Sequence, residues 1–243
     1  VLRFQGATDM NGGRLFLFSL LAIFLSFPAH SLEISVDTST LISWEPLTFP
    51  KIPDHSTFKP VIEDQRQAIR IESDASASAV IYSETFKLSE TPYLQWSWKV
   101  QNIFKAGNAA VKAGDDYPVR VYILFEYSPD RVPFFERIPF ELAKTLYGEY
   151  PPAEVLNYVW ANREHDEKFM ANAFTERAMM FFMDEGENRV GQWRRHKINI
   201  IEDFEEAFGR SPPDTFTLAI MGDSDNTGES SISFISNITL SDK

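Results

Sequence analysis

Hydrophobic and polar positions alternate with a period of two over most of the chain, the mark of strands with one face buried. The pattern is plainest at 93–100, where Leu94, Trp96, Trp98 and Val100 share one face and Tyr93, Gln95, Ser97 and Lys99 the other. Two tryptophans in one row mark the hub of a core. The same reading predicts strands at 67–73 and 79–88 around a small polar turn at 74–78, and at 119–127 and 155–162. Residues 178–184 are apolar on both faces and are expected to be central. A long strand follows at 192–201, and a closing pair of strands spans 215–240, with Phe216, Leu218 and Ile220 on one and Ile232, Phe234, Ile238 and Leu240 on the other.

Helical spacing is confined to short pieces. Ile138, Leu142, Ala143 and Leu146 predict a helix at 139–147, opened by Pro139 and stopped by Gly148, within an insertion at 129–152 that covers one end of the fold. Phe204 and Phe208 predict one or two turns at 203–209. Residues 32–60 read as an irregular approach with edge strands, and 163–175 as a charged loop. About nine short strands, few helices and no βαβ rhythm predict an all-β fold, an antiparallel β-sandwich of jelly-roll type with a short helical insertion. No internal repeat or linker divides it, so residues 32–243 are expected to form one domain. A lipocalin-like barrel is the rival, and the insertion and long loops suit it less well.

The N-terminus adds a compartment. Met10 to Arg14 lead into an apolar run at 15–27, followed by Pro28, Ala29, His30 and Ser31. That order matches a secretory signal peptide cleaved near Ser31, with Met10 as the start and a periplasmic or secreted product. No later run is long and apolar enough to span a bilayer. With no cysteine, disulfides and a lipid-anchored cysteine are excluded, and the fold must hold by packing. A net charge of −12 argues against nucleic acid or anionic lipid as partners and leaves neutral glycans, cations and basic proteins. Arg194, Arg195, His196 and Lys197, beside Trp193, form the one positive cluster in this acidic chain.

Candidate chemistry concentrates in two acidic loops. Asp223, Asp225 and Thr227 place oxygen ligands at alternate positions before Gly228, the first half of a Ca²⁺ loop; Phe234 stands where a bidentate glutamate would complete an EF-hand, so a different calcium loop is expected. Asn226 and Glu229 are candidate ligand-binding residues in the same loop. Asp115 and Asp116 precede a strand bearing Arg120, Tyr122 and Glu126, residue types that can serve glycoside hydrolysis or lyase chemistry as acid, base and charge stabiliser. The same residues also fit a buried Asp–Arg brace. Tyr158, Trp160 and Asn162 alternate on one face and can stack and hydrogen-bond a sugar ring, or fill a core. His55, His165 and His196 lack zinc spacing, and there is no nucleophile elbow, catalytic cysteine or phosphate loop.

The segments 94–100 (LQWSWKV), 112–122 (KAGDDYPVRVY), 146–152 (LYGEYPP), 156–162 (LNYVWAN) and 222–229 (GDSDNTGE) together resemble the bacterial exported family known as domain of unknown function 3047. That resemblance spans about 67–240 and implies no assigned activity. The closing strand at 232–240, with Asn237, is also similar to that of galactose-binding-like sandwiches, which implies fold rather than function. Three readings follow: a glycan-binding module stabilised by Ca²⁺, an enzyme acting on polysaccharide, and an envelope assembly subunit whose protein partner docks on 129–152. An enzyme requires both acidic loops and Arg120 to meet in one cleft; a binding module requires exposed aromatics beside polar groups.

Overall fold

The computed structural model describes residues 31–129 and 151–243. Strands numbered along the chain form two sheets. The six-stranded sheet runs β12 (Arg194–Asn199), β7 (Tyr93–Val100), β14 (Ser230–Ser241), β4 (Arg66–Asp74), β3 (Thr57–Glu63), with β1 (Glu33–Ser35) also on β14. The eight-stranded sheet runs β10 (Phe169–Asn172), β11 (Thr175–Glu185), β9 (Val155–Ala161), β8 (Arg120–Phe125), β13 (Thr215–Asp223), β5 (Ala77–Tyr82), β2 (Trp44–Thr48), with β6 (Phe86–Lys87) on β13. The fold is the expected β-sandwich, and one neighbouring pair, β9 with β11, is parallel. The segment 163–175, expected as a loop, contains β10; its hairpin with β11 reverses the chain once more, so β11 runs alongside β9 in the same direction. The insertion helix at 139–147 lies outside the described residues.

The core forms where the alternating rows meet. Leu94, Trp96, Trp98 and Val100 of β7 face Val121, Ile123 and Phe125 of β8 and Leu156, Tyr158 and Trp160 of β9, all buried. Trp96 lies edge-on to Trp98 at 5.4 Å between ring centroids and 5.3 Å from Tyr158, and Trp98 lies 6.2 Å from Trp160. Tyr158 and Trp160 are thus core residues. Their polar ends are committed inside the protein, the Tyr158 hydroxyl donating to Asp203 (3.0 Å) and the Trp160 indole to the Gly186 carbonyl (3.2 Å), so neither offers a face to a sugar.

Two local departures from simple alternation matter below. In β14 the register slips between Ser236 and Thr239, and Asn237 takes a left-handed backbone (φ 52°). This bulge lets both Ile235 and Ile238 point into the core, whereas Phe234, expected on their face, pairs with Lys99 and Arg70 on the outer one. The α-helix Ile200–Phe208 (α1) starts earlier than the sequence suggested because Asn199 caps it, its side chain accepting from the amides of Ile201 (3.1 Å) and Glu202 (3.4 Å). Gly209, at φ 68°, ends it, and Phe204 packs 4.8 Å from Phe125.

Asp184 ties the sheets together. From β11 it accepts the Trp98 indole N–H (2.7 Å), the Arg194 Nε–H (2.8 Å) and a bond with His196 Nε2 (2.7 Å), the last three residues all on the opposite sheet. Burial opposes ionisation, yet the bonds from His196, Trp98 and Arg194 hold its carboxyl below the ordinary value of 3.8. A depressed folded-state value adds stability above pH ~4 that is lost as pH falls through that folded value. Asp184→Ala should cost about 2–3 kcal/mol in urea unfolding at pH 7, since it orphans a buried indole N–H. The gap between variant and wild type should narrow as pH falls below 4, leaving the part due to the orphaned indole; a gap independent of pH would show that the carboxylate charge is irrelevant.

Candidate functional site

The outer face of the eight-stranded sheet is partly covered at its β9–β11 side by the 101–118 loop. Tyr117 and Ala109 of that loop pack on Val159, Ala161 and Met180. Asn162 holds the loop from beneath, donating to the Asp116 carbonyl (2.6 Å) and accepting the Phe104 N–H (2.8 Å). It is a brace rather than a ligand contact. On the other side, Phe49 and Ile52, just beyond β2, and Tyr122 pack against Ala77, Ala79 and Met221.

Between these covers lies an open cleft of about 510 Å³. Register places its floor in successive rows across the sheet: Arg120 opposite Met221 and Met221 opposite Ala79, then Tyr122 between Ala219 and Asn157, then Leu124 opposite Val155. Leu47, Phe49 and Phe174 line its sides, Phe174 being 56% exposed. Asn157 is 1% exposed, and its Oδ1 has no hydrogen-bond partner. A buried amide oxygen left unpaired costs free energy unless something supplies a donor.

One end of the cleft is the meeting point of the two acidic loops. Arg120, 3% exposed, grips Asp223 in bidentate fashion, Nε to Oδ1 at 2.7 Å and Nη2 to Oδ2. Its Nη2 also donates to the Asp115 carbonyl (2.6 Å), Nη1 lies 3.5 Å from Asp115 Oδ1, and the guanidinium sits 4.4 Å from the Tyr117 ring centre. Asp115 accepts in turn from the Asn172 amide (2.7 Å). Asp116 welds the loops: Oδ2 accepts the Thr227 N–H (2.6 Å), and Oδ1 the Asn226 backbone (3.3 Å) and side-chain (3.0 Å) N–H groups. Gly228 closes the turn with a left-handed backbone (φ 69°).

Four carboxylates around one guanidinium leave negative charge in excess. Burial, offset in part by Arg120 and reinforced by Asp116 and Asp115, pushes Asp223 up to about 7. Asp225, half-buried, is raised by burial and by Asp116. Burial also raises the Tyr122 hydroxyl, with Arg120 opposing, so it is a proton donor at neutral pH rather than a base. Asp116, Asp223 and Asp225 each offer a carboxylate oxygen, and the three lie within 4.8 Å of one another. A cation at the ~2.4 Å typical of Ca²⁺–oxygen bonds bridges oxygens up to about that separation.

Asp115, Asp116, Arg120 and Tyr122 are thus brought together with Asp223, Asp225 and Asn226. Glu126 is not: it is exposed beyond the far end of β8. Glu229 turns away from the cleft to accept the Lys105 (3.1 Å) and Ala106 (2.8 Å) amides. The third member of the carboxylate cluster is Asp116, where the sequence pointed to Thr227, whose hydroxyl instead accepts the Glu229 N–H (3.4 Å). Asn157, Asn172, Phe49 and Phe174 escaped sequence reasoning. For Asn157 the signal was there, an amide within an otherwise apolar and aromatic strand.

The sequence matches DUF3047, described as a protein of unknown function, over residues 42–239. The chain belongs to this family. No curated protein matches it. The β-sandwich of this chain is also seen, distantly, in solved structures. One is the family 30 carbohydrate-binding module of a cellulosomal cellulase of Clostridium thermocellum, with 13% identity, TM-score 0.44, and coverage of 86% of this chain and 96% of that one. A second is winged bean acidic lectin complexed with methyl-α-D-galactose, with 10% identity, TM-score 0.41, and coverage of 87% and 98%. A third is the family GH12 endoglucanase 3 of Trichoderma harzianum, with 8% identity, TM-score 0.38, and coverage of 88% and 97%. Likeness of this degree does not specify a function.

Proposed function

We propose that this is an exported glycan-binding module that takes a saccharide in the cleft of the eight-stranded sheet and holds Ca²⁺ at Asp116, Asp223 and Asp225. The observation that carries the reading is Asn157, whose unpaired Oδ1 lies in the cleft floor beside Tyr122, with Phe49 and Phe174 to the sides. A sugar ring presents C–H faces to aromatics and hydroxyl donors at its edge, which matches that lining. Turnover fits less well. Asp116 already accepts three N–H groups, Asp223 is locked to Arg120, and Asp115 accepts from Asn172 and lies against the same guanidinium, so the carboxylates are tied to local partners rather than set as the free acid and base pair that glycoside hydrolysis uses. Calcium suits the same cluster because it adds positive charge where carboxylates outnumber guanidinium by four to one. Export rests on the apolar run at 15–27, which lies outside the described residues; among the described residues no helix is long and apolar enough to cross a membrane. The surface proposed for a protein partner, 129–152, is also mostly outside them.

The test is a screen of neutral oligosaccharides by calorimetry and array, with Ca²⁺ or with chelator. Binding is expected, with Phe174→Ala weakening it about tenfold without changing the melting temperature, as for loss of one exposed stacking ring. Calcium at 100 times its Kd should raise the melting temperature by about 5–10 °C, and Asp225→Asn should remove that response. Absence of any saccharide ligand sinks the binding reading, and a melt indifferent to calcium and chelator removes the ion.

A further inference from the structure

The positive cluster noted in the sequence is not absorbed by the cleft, because it lies on the other sheet. On the outer face of the six-stranded sheet a groove of about 450 Å³ is lined by Arg66, Arg195, Trp193, Ser97 and Asn237. Its charges sort clearly. Arg194 is spent on Asp184, and Lys99 on Glu63 and Asp64. Asp64 also accepts the Trp193 indole N–H (3.0 Å), so the nearest carboxylates are occupied.

Arg66 and Arg195 form no ion pair among the described residues, yet both are held in place. The Arg66 guanidinium lies 5.3 Å from the Trp193 ring centre, and Arg195 Nη2 donates to Gln95 Oε1 (2.6 Å). Between them sits Ser97, 2% exposed, which lines the groove. The β14 bulge places Asn237 at the same groove, exposed and in the left-handed conformation. Bulges of this kind re-aim side chains at binding sites. Two oriented guanidiniums, Arg66 having near it Glu63 and Asp64, which Lys99 already pairs, with a serine hydroxyl and an amide beside them, form a recognition set for an oxyanion attached to a polar, hydroxyl-bearing body.

We infer that this groove is a second binding site, independent of the cleft, for an acidic saccharide whose carboxylate or sulfate is received by Arg66 and Arg195 while Ser97 and Asn237 bond its hydroxyls. The probes are an oligogalacturonate, a sulfated oligosaccharide, a neutral oligosaccharide and inorganic phosphate, measured on the whole protein with Phe174→Ala as the cleft control. One of the two acidic oligosaccharides binds wild type and Phe174→Ala alike, weakens as salt rises, and loses about tenfold or more in Arg66→Gln/Arg195→Gln. Ser97→Ala lowers the same affinity several-fold with an unchanged melting temperature, which a merely structural serine would not do. The inference is overturned if neither acidic oligosaccharide binds, if the double variant binds as wild type does, or if inorganic phosphate competes on equal terms, which would leave a bare oxyanion site. Loss of acidic-sugar binding in Phe174→Ala would instead assign that ligand to the cleft.

Discussion

Arg120→Met is expected to destabilise the protein by about 3–5 kcal/mol, and the Arg120→Met/Asp223→Leu pair to recover most of that loss. The asymmetry follows from what each variant leaves behind. Removing the guanidinium strands Asp223, 2% exposed, beside the carboxylates of Asp115 and Asp116. Removing both partners leaves an apolar pair of similar volume next to Met221 and Ala219, which the cleft floor tolerates. The pH dependence has a definite sign. Asp223 is already raised to about 7 in the folded protein, chiefly by burial, so its contribution is present at low pH and lost as pH rises through that value. Without Arg120 the carboxyl is raised further, so the deficit of the single variant should be largest above pH 7 and shrink toward pH 5. Urea unfolding in chelator at both pH values measures this, with an unchanged m value as the control. A double variant no better than the single one would show that Arg120 stabilises through something other than its pairing with Asp223.

An Asp–Arg brace was legible before any coordinates, but not its partner. An arginine on a strand beside Val119, Val121 and Tyr122 needs a carboxylate, and the sequence pointed to Asp115 and Asp116, whereas the bidentate grip goes to Asp223 from the distant loop. The sandwich was legible for a related reason, since each strand's two faces differ in chemistry and the difference repeats every second residue. β7 shows it without ambiguity.

What escaped the sequence are matters of parity and of mixed composition. Strand β9 is apolar on both faces, so period two could not say whether Tyr158 and Trp160 or Val155 and Asn157 look outward. The 101–118 loop decides it by covering the outer face at one end and leaving Asn157 in the floor of the cleft at the other. In β14 one extra residue at the bulge moves Phe234 to the face opposite Ile238, and nothing in the local sequence beyond Asn237's tolerance for a left-handed backbone announces it. β10 was hidden by the charges on either side of it, because a four-residue edge strand needs little apolar patterning of its own. Thr227 was chosen over Asp116 because a linear motif counts ligands along one loop, whereas the cluster draws them from two.

Asn157→Leu is expected to abolish or weaken saccharide binding by about 10- to 100-fold while leaving the protein as stable as wild type or about 1 kcal/mol more so. The two effects have one cause. An amide with an unpaired oxygen, 1% exposed between Tyr122 and Met180, is an unfavourable residue for a folded protein taken alone. Leucine is similar in volume, removes the unsatisfied acceptor and packs against Val155, Leu124 and Ala219 in the same floor. A residue kept for packing would show the opposite pattern, a loss of stability with no change in ligand affinity. A residue that receives a ligand hydroxyl gives up stability in the free protein and recovers it on binding, a trade-off seen where sites are built against the interest of the fold. Thermal melts and calorimetry on Asn157→Leu and Asn157→Asp separate the cases. The aspartate keeps an acceptor and should retain part of the affinity below neutral pH while melting earlier. If Asn157→Leu melts several degrees lower and binds as wild type does, Asn157 belongs to the architecture of β9 and the cleft has lost the residue that points most directly to a ligand.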